Sequence, residues 1–334
     1  MSETRNNLGG GAGGGGGVRP VVVVTEGSDP RPLQWLRERA EVLEVKYDDD
    51  AALPHALARA DGAVVRTYTK VTEAWLAQAP RLKVVGRGGV GLENIDVAAC
   101  RRRGVEVVYT PDANTLAVGD FVFGGMIQLL RPFAAVGAAM YSPAEFKKIR
   151  GTLRGRQLNE LTIGILGMGR VGRRVGNIAA NGFGMRVIYN DVIDVGPLPF
   201  AATAVDKETL YRDADVLSLH VDMRPGNAHL VGATQLGIMK PDAILINTSR
   251  GEVLDAGALA DAIRGKRLAG AVIDVFDPEP PGADFPMVGL ANVMLTPHMA
   301  ARTHTAIENM SWVVRDVVEV IEGRTARYPA PDVR

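Results

Sequence analysis

Eleven short runs of mostly β-branched and apolar residues, separated by stretches with helix formers at helical spacing, constrain this chain more than any other feature. "VVVVT", "VLEVKY", "GAVVRT", "LKVVG" and "VEVVYT" make a first series from Val21. "LTIGIL", "MRVIYN", "VLSLHV", "AILINT", "GAVIDV" and "VMLTP" make a second from Leu161. Runs of this kind suit strands covered on both faces. Strand, helix and strand in regular alternation make a parallel sheet wrapped by helices. Two such series predict an α/β chain with two doubly wound parallel-sheet domains, and 334 residues are more than one ordinary core accommodates.

Between the series, an apolar helix is expected over Leu116 to Leu130, followed by a less regular stretch from Arg131 to Asn159. A final helix, roughly His304 to Glu322, follows the last strand. The first residues read differently. Gly9 to Gly17 is broken only by Ala12, which maximises the entropy lost on ordering and buries nothing. Residues 1–18 are therefore expected to be a disordered tail. A phosphate-cradling loop would need Gly-Lys-Ser/Thr at a helix start, whereas this run leads into Val18, Arg19 and Pro20.

Charge narrows the choice of partner. Lys+Arg and Asp+Glu both number 38, which leaves no net field to attract nucleic acid or an anionic membrane. "FVFGGMIQLL" is about half the roughly 20 residues that span a bilayer. With one cysteine, Cys100, no intramolecular disulfide is possible, and a helix-packing thiol in a reducing, cytoplasmic compartment is expected. Small-molecule chemistry is the default these facts leave.

The second series carries the motif that specifies that chemistry. Gly167, Gly169 and Gly172 follow the strand "LTIGIL" and open the helical "RVGRRVGNIAANGFG", which leads to a second strand ending at Asp191. This is the setting a dinucleotide fingerprint requires. Gly167 makes the turn, Gly169 lets the backbone approach a pyrophosphate, and Gly172 lets helix and strand pack closely. The amides of Arg170 and Val171 then face the dianion from a helix N-terminus. Asp191, nineteen residues beyond Gly172, would accept from a ribose 2′-hydroxyl and repel a 2′-phosphate. No cation follows at once in "NDVIDVG", so NAD is expected over NADP.

Hydride chemistry at an oxygen-bearing carbon also needs a proton donor and acceptor, and a cation for the substrate's negative group. Three candidates follow strands of the second series: Arg250 in "NTSRG", Glu279 in "DVFDPEPP" and His298 in "LTPHMA". Ligand sites in open α/β sheets lie beyond the carboxyl ends of the strands. Taken singly, His298 could be a hydrogen-bonded structural histidine and Arg250 a surface ion pair. Their joint placement at strand ends points to a site, with His298 as proton shuttle, Glu279 as its partner and Arg250 as a fork for a carboxylate. No metal is called for.

Taken in order, "LTIGILGMGRVGRRV", "MKPDAILINTSRGEVLDAGALADAI", "GAVIDVFDPEPP" and "NVMLTPHMA" resemble the successive signatures of the D-isomer-specific 2-hydroxyacid dehydrogenases. The resemblance runs from about Val21 to Gly323. It implies that Arg250 binds substrate carboxylate and carbonyl, that His298 is the general acid/base and that Glu279 orients it. It also implies that Asp274 contacts the nicotinamide carboxamide and that Thr248 and Ser249 contact the cofactor. A flavodoxin-like substrate domain, 19–113 with 300–334, is implied beside a Rossmann NAD-binding domain, 114–299, with the active site in a cleft between them. The first series is similar to phosphoglycerate dehydrogenases in particular. Gly89 and Val90 would cradle the substrate carboxylate through backbone N–H groups, while Arg66, Lys70 and Arg87 could read a distal anion. A homodimer is expected from the same resemblance.

The pattern departs from the family in places. Asp120 stands where the family usually has Glu, and a tryptophan common before the dinucleotide strand is missing. The sequence ends at Arg334, so a C-terminal serine-sensing domain is not expected. One alternative keeps the fold but changes the output: an NAD-sensing corepressor related to the C-terminal-binding proteins.

Overall fold

The computed structural model describes residues 19–131, 142–152, 154–224 and 226–331. The Gly-rich segment read as a tail, 1–18, lies outside them. The chain divides into two compact units, one holding the residues up to Tyr109 together with Ser311–Arg334, the other Thr110–Met310.

The first unit is a five-stranded sheet of β1 (Val21–Val24), β2 (Glu41–Glu44), β3 (Gly62–Val65), β4 (Val84–Arg87) and β5 (Glu106–Tyr109). The strands are parallel and ordered β2-β1-β3-β4-β5, the flavodoxin-like order. β1 and β3 are buried along their whole length, whereas the edge strand β2 is not. That contrast follows from the alternatives open to each: an inner strand is covered on both faces, and an edge strand tolerates the glutamates at both ends of "EVLE". Val314 and Val317, on the helix Val314–Ile321, pack with Val22, Val84 and Val108 of this sheet.

The second unit contains β6 (Thr162–Leu166), β7 (Arg186–Asn190), β8 (Thr203–Ala204), β9 (Val216–Leu219), β10 (Ile244–Asn247), β11 (Gly270–Ile273) and β12 (Val293–Leu295). All neighbours pair in parallel in the order β12-β11-β10-β9-β6-β7-β8. The order reverses at β6, as in a Rossmann sheet, and the crevice at such a reversal is where nucleotides bind. The apolar helix forms over Thr115–Leu130 and buries Val122, Phe123 and Met126 against Ile163, Ile246 and Val272.

Three local expectations change. The stretch after Arg131 contains a helix, Pro143–Thr152; its start was legible in "SPAE", where Pro143 follows Ser142 and the Ser142 Oγ accepts the Glu145 amide at 3.4 Å. The final helix is two, His304–Ser311 and Val314–Ile321. The first buries Ala306 and Met310 beside Ala117 in the second unit, and the other buries its valines in the first unit. β8, two residues long and exposed, carries no apolar run to announce it.

Candidate active site

At the end of β6 the backbone turns at Gly167 with φ +93°, a left-handed conformation that favours glycine. The helix Arg170–Asn177 then starts beneath the loop. A Cβ on Gly172 would lie 2.1 Å from the Gly167 carbonyl oxygen, so only glycine lets helix and loop approach this closely. Gly169 is the opposite case: nothing lies within 4 Å of its Cβ position, leaving open space over the turn. Arg170 places its side chain on Asp112, Nε to Oδ1 at 2.5 Å. Val171 is half-buried on the same first turn.

Asp191 follows β7, and its Oδ2 accepts the Met168 amide at 2.7 Å while Oδ1 accepts that of Ile193 at 3.2 Å. The carboxylate is thus tied to the glycine loop, and each oxygen retains lone-pair capacity for a further donor. On the side of the glycine loop away from Asp191 lies His220, just after β9. Its Nε2 is 2.8 Å from Ser218 Oγ. Its backbone carbonyl stands 2.7 Å from the Cβ position of Gly167. The residue keeps some exposed surface, yet the ring is enclosed, and desolvation pushes its pKa down to about 3. It is a neutral imidazole, absent from the sequence expectations.

The turn after β10 is organised by a residue the sequence did not single out. Asn247, fully buried, accepts the Ser249 amide at 3.0 Å and its hydroxyl at 2.8 Å through Oδ1. It also donates from Nδ2 to the Arg250 carbonyl at 2.9 Å. Arg250 in turn donates Nη1 to the Ser249 carbonyl at 2.6 Å. The Thr248 hydroxyl oxygen is buried with no hydrogen-bond partner among the described residues. Such an orphan is costly unless a bound group satisfies it. Gly251 explains why this turn can touch the next: a Cβ there would sit 2.0 Å from the Phe276 carbonyl, on the segment that leads to Glu279.

His298 and Glu279 meet across neighbouring strands, Nδ1 to Oε1 at 2.7 Å. Since a carboxylate only accepts, Nδ1 carries the proton, which leaves Nε2 as the nitrogen to give or take one. The imidazole is 40% exposed and the carboxylate 28%. His298 itself has φ +48°, and Asp274 holds it there. The Asp274 carbonyl accepts the His298 amide at 2.9 Å. Its carboxylate, 1% exposed at residue level, accepts from Thr296 Oγ1 at 2.6 Å and from the Met299 and Ala300 amides at 2.8 Å each. Both oxygens of Asp274 are therefore engaged with the turn that carries His298, a role its sequence position did not disclose.

Arg250, Glu279 and His298 thus follow three adjacent strands, with the glycine loop and Asp191 further along the same sheet edge. In the first unit, Glu26 organises the segment expected to bind substrate. Its carboxylate accepts the amides of Arg66, Thr67, Tyr68 and Thr69 at 2.9 to 3.1 Å and the Thr69 hydroxyl at 2.7 Å. Burial works against ionisation, but those bonds win and hold Glu26 below the usual carboxylate range. Arg66 Nη1 donates to the Gly27 carbonyl at 3.2 Å. Arg87 Nη1 donates to the Gly88 carbonyl at 2.7 Å. Gly89, at φ +153°, directs its amide to the Arg87 carbonyl at 2.9 Å, with Val90 next in the turn. Lys70 is exposed. Asp120 faces Arg174 at 3.4 Å. Among the described residues, no cluster of three or more His, Cys, Asp or Glu side chains is arranged for a metal, and no helix is long and apolar enough to cross a membrane.

The residues fit a dinucleotide: an open glycine turn over a helix N-terminus, a fixed carboxylate at the next strand and an orphaned buried hydroxyl at Thr248. Comparison with known proteins agrees. Residues 123–300 match the family described as D-isomer specific 2-hydroxyacid dehydrogenase, NAD binding domain. The chain is 37% identical over 276 residues to an (S)-sulfolactate dehydrogenase of Chromohalobacter salexigens, covering 81% of this chain and 87% of that protein. It is 34% identical over 309 residues to a D-3-phosphoglycerate dehydrogenase of Methanocaldococcus jannaschii, covering 91% of this chain but only 58% of the relative. Among solved structures, the TT0316 protein from Thermus thermophilus superposes with a TM-score of 0.82 at 33% identity, over 93% of this chain and all of that one. A D-lactate dehydrogenase from Aquifex aeolicus, solved with NAD and lactic acid, gives 0.77 at 27% identity over 91% and 96% of the two chains. The chain belongs to the D-isomer specific 2-hydroxyacid dehydrogenase family. It is an NAD-dependent oxidoreductase of that family, and the corepressor alternative gains no support from these relatives.

Proposed function

We propose that this enzyme interconverts a D-2-hydroxy acid and its 2-keto acid, with His298 as general acid/base, Glu279 as its orienting carboxylate and Arg250 as the substrate clamp. The observation that carries the reading is the 2.7 Å contact from His298 Nδ1 to Glu279 Oε1 beside the Arg250 turn. Bound NADH supplies the hydride in the reducing direction and NAD accepts it in the other. The imidazolium, supported by Glu279, gives its Nε2 proton to the carbonyl oxygen as charge grows there. The Arg250 guanidinium steadies that oxygen and the neighbouring carboxylate. In oxidation, neutral His298 takes the hydroxyl proton back at Nε2.

On the cofactor side, the proposal assigns Gly167, Gly169, Arg170, Val171 and Gly172 to the pyrophosphate and Asp191 to the ribose. It gives Thr248, Ser249 and Asp274 to the nicotinamide end. Asp274 can fill that role only while also holding the His298 turn. The unit up to Tyr109 with Ser311–Arg334 is assigned as the substrate domain; it is shorter at both junctions than the expected 19–113 and 300–334, because Ala306 and Met310 pack beside Ala117 in the second unit. Val90 is assigned to the carboxylate, since the Gly89 amide is already bonded to the Arg87 carbonyl, and Arg66 and Arg87 to a second anion. The names of two relatives support such an anion: sulfolactate and 3-phosphoglycerate are both 2-hydroxy acids with a further acidic group. A cytoplasmic homodimer completes the proposal, supported by family membership for the dimer and by the single buried thiol for the compartment.

NADH consumption against glyoxylate, hydroxypyruvate, phosphohydroxypyruvate, sulfopyruvate and branched-chain keto acids tests the reading. Turnover that survives His298→Ala would overturn the catalytic assignment. A preference for the phosphorylated or sulfonated acid that is lost in Arg66→Ala would support the anion site.

A further inference from the structure

No lysine or arginine closely follows Asp191 in sequence, but the sheet brings one from elsewhere. β9 lies beside β6, and β6 beside β7, so the chain leaving β9 runs about 10 Å from the end of β7. Arg224 lies on that segment. Its guanidinium forks onto Asp222, Nε to Oδ1 at 2.7 Å and Nη2 to Oδ2 at 2.6 Å. Both side chains are largely exposed, 52% and 60%, so the two-bond fork, and not burial, is what holds the guanidinium on Asp222. The Asp222 contact and, beyond it, the charge of Asp191 hold Arg224 more firmly protonated than an ordinary arginine. Next to Asp191, Val192 and Ile193 leave 70% and 69% of their surface uncovered, apolar faces of the kind a purine ring covers.

We propose that Asp222 is a second determinant of cofactor choice: by clamping Arg224, it withholds from the Asp191 pocket the guanidinium that would otherwise receive a 2′-phosphate. The inference rests on the dinucleotide reading above and deepens it. With Asp222 present, two carboxylates act on one guanidinium, Asp222 by contact and Asp191 through its charge, and the net negative charge disfavours a dianion. With Asp222 removed, the charges of Asp191 and Arg224 cancel. The planar fork that Asp222 engaged then matches a phosphate in the same bidentate way. Asp191 therefore excludes the 2′-phosphate directly, and Asp222 excludes it by keeping its natural partner occupied.

The test is equilibrium binding without substrate, read from the fluorescence of NADH and NADPH titrated with the wild type, Asp222→Ala, Arg224→Ala and the double variant. The wild type should bind NADH in preference to NADPH. Asp222→Ala should tighten NADPH about three- to fivefold and shift NADH less than twofold, and the double variant should lose the gain. An NADPH affinity unchanged in Asp222→Ala, or a gain that persists without Arg224, would overturn the proposal. Failure of the wild type to bind NADH at all would instead overturn the underlying dinucleotide reading.

Discussion

The backbone carbonyl of Asp274 receives the amide of His298 at 2.9 Å, so the residue just after one strand sets the backbone of a residue that follows the next. The Asp274 carboxylate then accepts the two amides after His298. Asp274→Asn would replace one acceptor oxygen by an NH2 that cannot accept from Thr296, Met299 or Ala300. A stability loss of about 1–3 kcal/mol is expected from the group left unsatisfied, with a fall in kcat as the turn loosens. Urea unfolding and steady-state rates measure both, and an Asn variant with full kcat would show that the turn holds itself.

His298→Ala removes the proton shuttle and should lower kcat by about 10²–10⁴-fold while NADH titrations change little. Glu279→Gln should lower it less, because the imidazole stays and only the carboxylate that fixes its Nδ1 proton is gone. A Gln variant slower than the Ala variant at His298 would contradict this division of roles.

Gly251→Ala tests the packing between the Arg250 turn and the segment leading to Glu279. The added carbon would lie 2.0 Å from the Phe276 carbonyl, a contact with backbone that no rotamer relieves. A loss of about 1–3 kcal/mol is expected from overpacking, accompanied by reduced turnover. Calorimetric unfolding at wild-type temperature would show that the two segments move apart freely.

His220 makes stability depend on pH. Its folded pKa, pushed down to about 3 by burial, lies below the unfolded value near 6.5, so the unfolded chain binds the proton first. The neutral ring's contribution is complete above pH 6.5 and is lost progressively as pH falls from there toward 3, by up to about 1.4 kcal/mol per unit. His220→Gln should flatten this part of the curve. Denaturant midpoints at pH 7.5 and 5 compare the two proteins, and parallel losses would exclude the histidine as the cause.

Cys100 is wholly buried, and desolvation, with Asp96 beside it, raises its thiol pKa to about 11. Thiolate is the reactive form, so a maleimide at pH 8 should label the unfolded chain at least a hundred times faster than the folded one. Rapid labelling of native protein would place the thiol at the surface.

The strand runs were legible because a strand covered on both faces must be apolar throughout, and the Rossmann and flavodoxin-like orders follow from alternation with helices. The helix Pro143–Thr152 carried a readable start in Ser142 and Glu145 that the apolar pattern around it did not reinforce. Site residues at strand ends, such as Arg250 and His298, were equally accessible, because the fold fixes where a strand end points. Their supports were not. Asp274 acts on residues 22 to 26 positions later, Glu26 on residues about 40 positions later, and Arg224 reaches the field of Asp191 through the sheet. Each of these depends on register between distant segments, which local pattern does not encode.

His298 occupies a backbone conformation, φ +48°, that costs a side-chain-bearing residue about 1–3 kcal/mol. Folding and chemistry therefore make opposing demands on one position. A population of variants sorted only for thermal resistance should drift there toward glycine, gaining stability as it discards the imidazole. Selection for turnover, and not for stability, keeps a histidine there, and its loss from an otherwise intact relative would mark a protein that had kept the fold and given up the reaction.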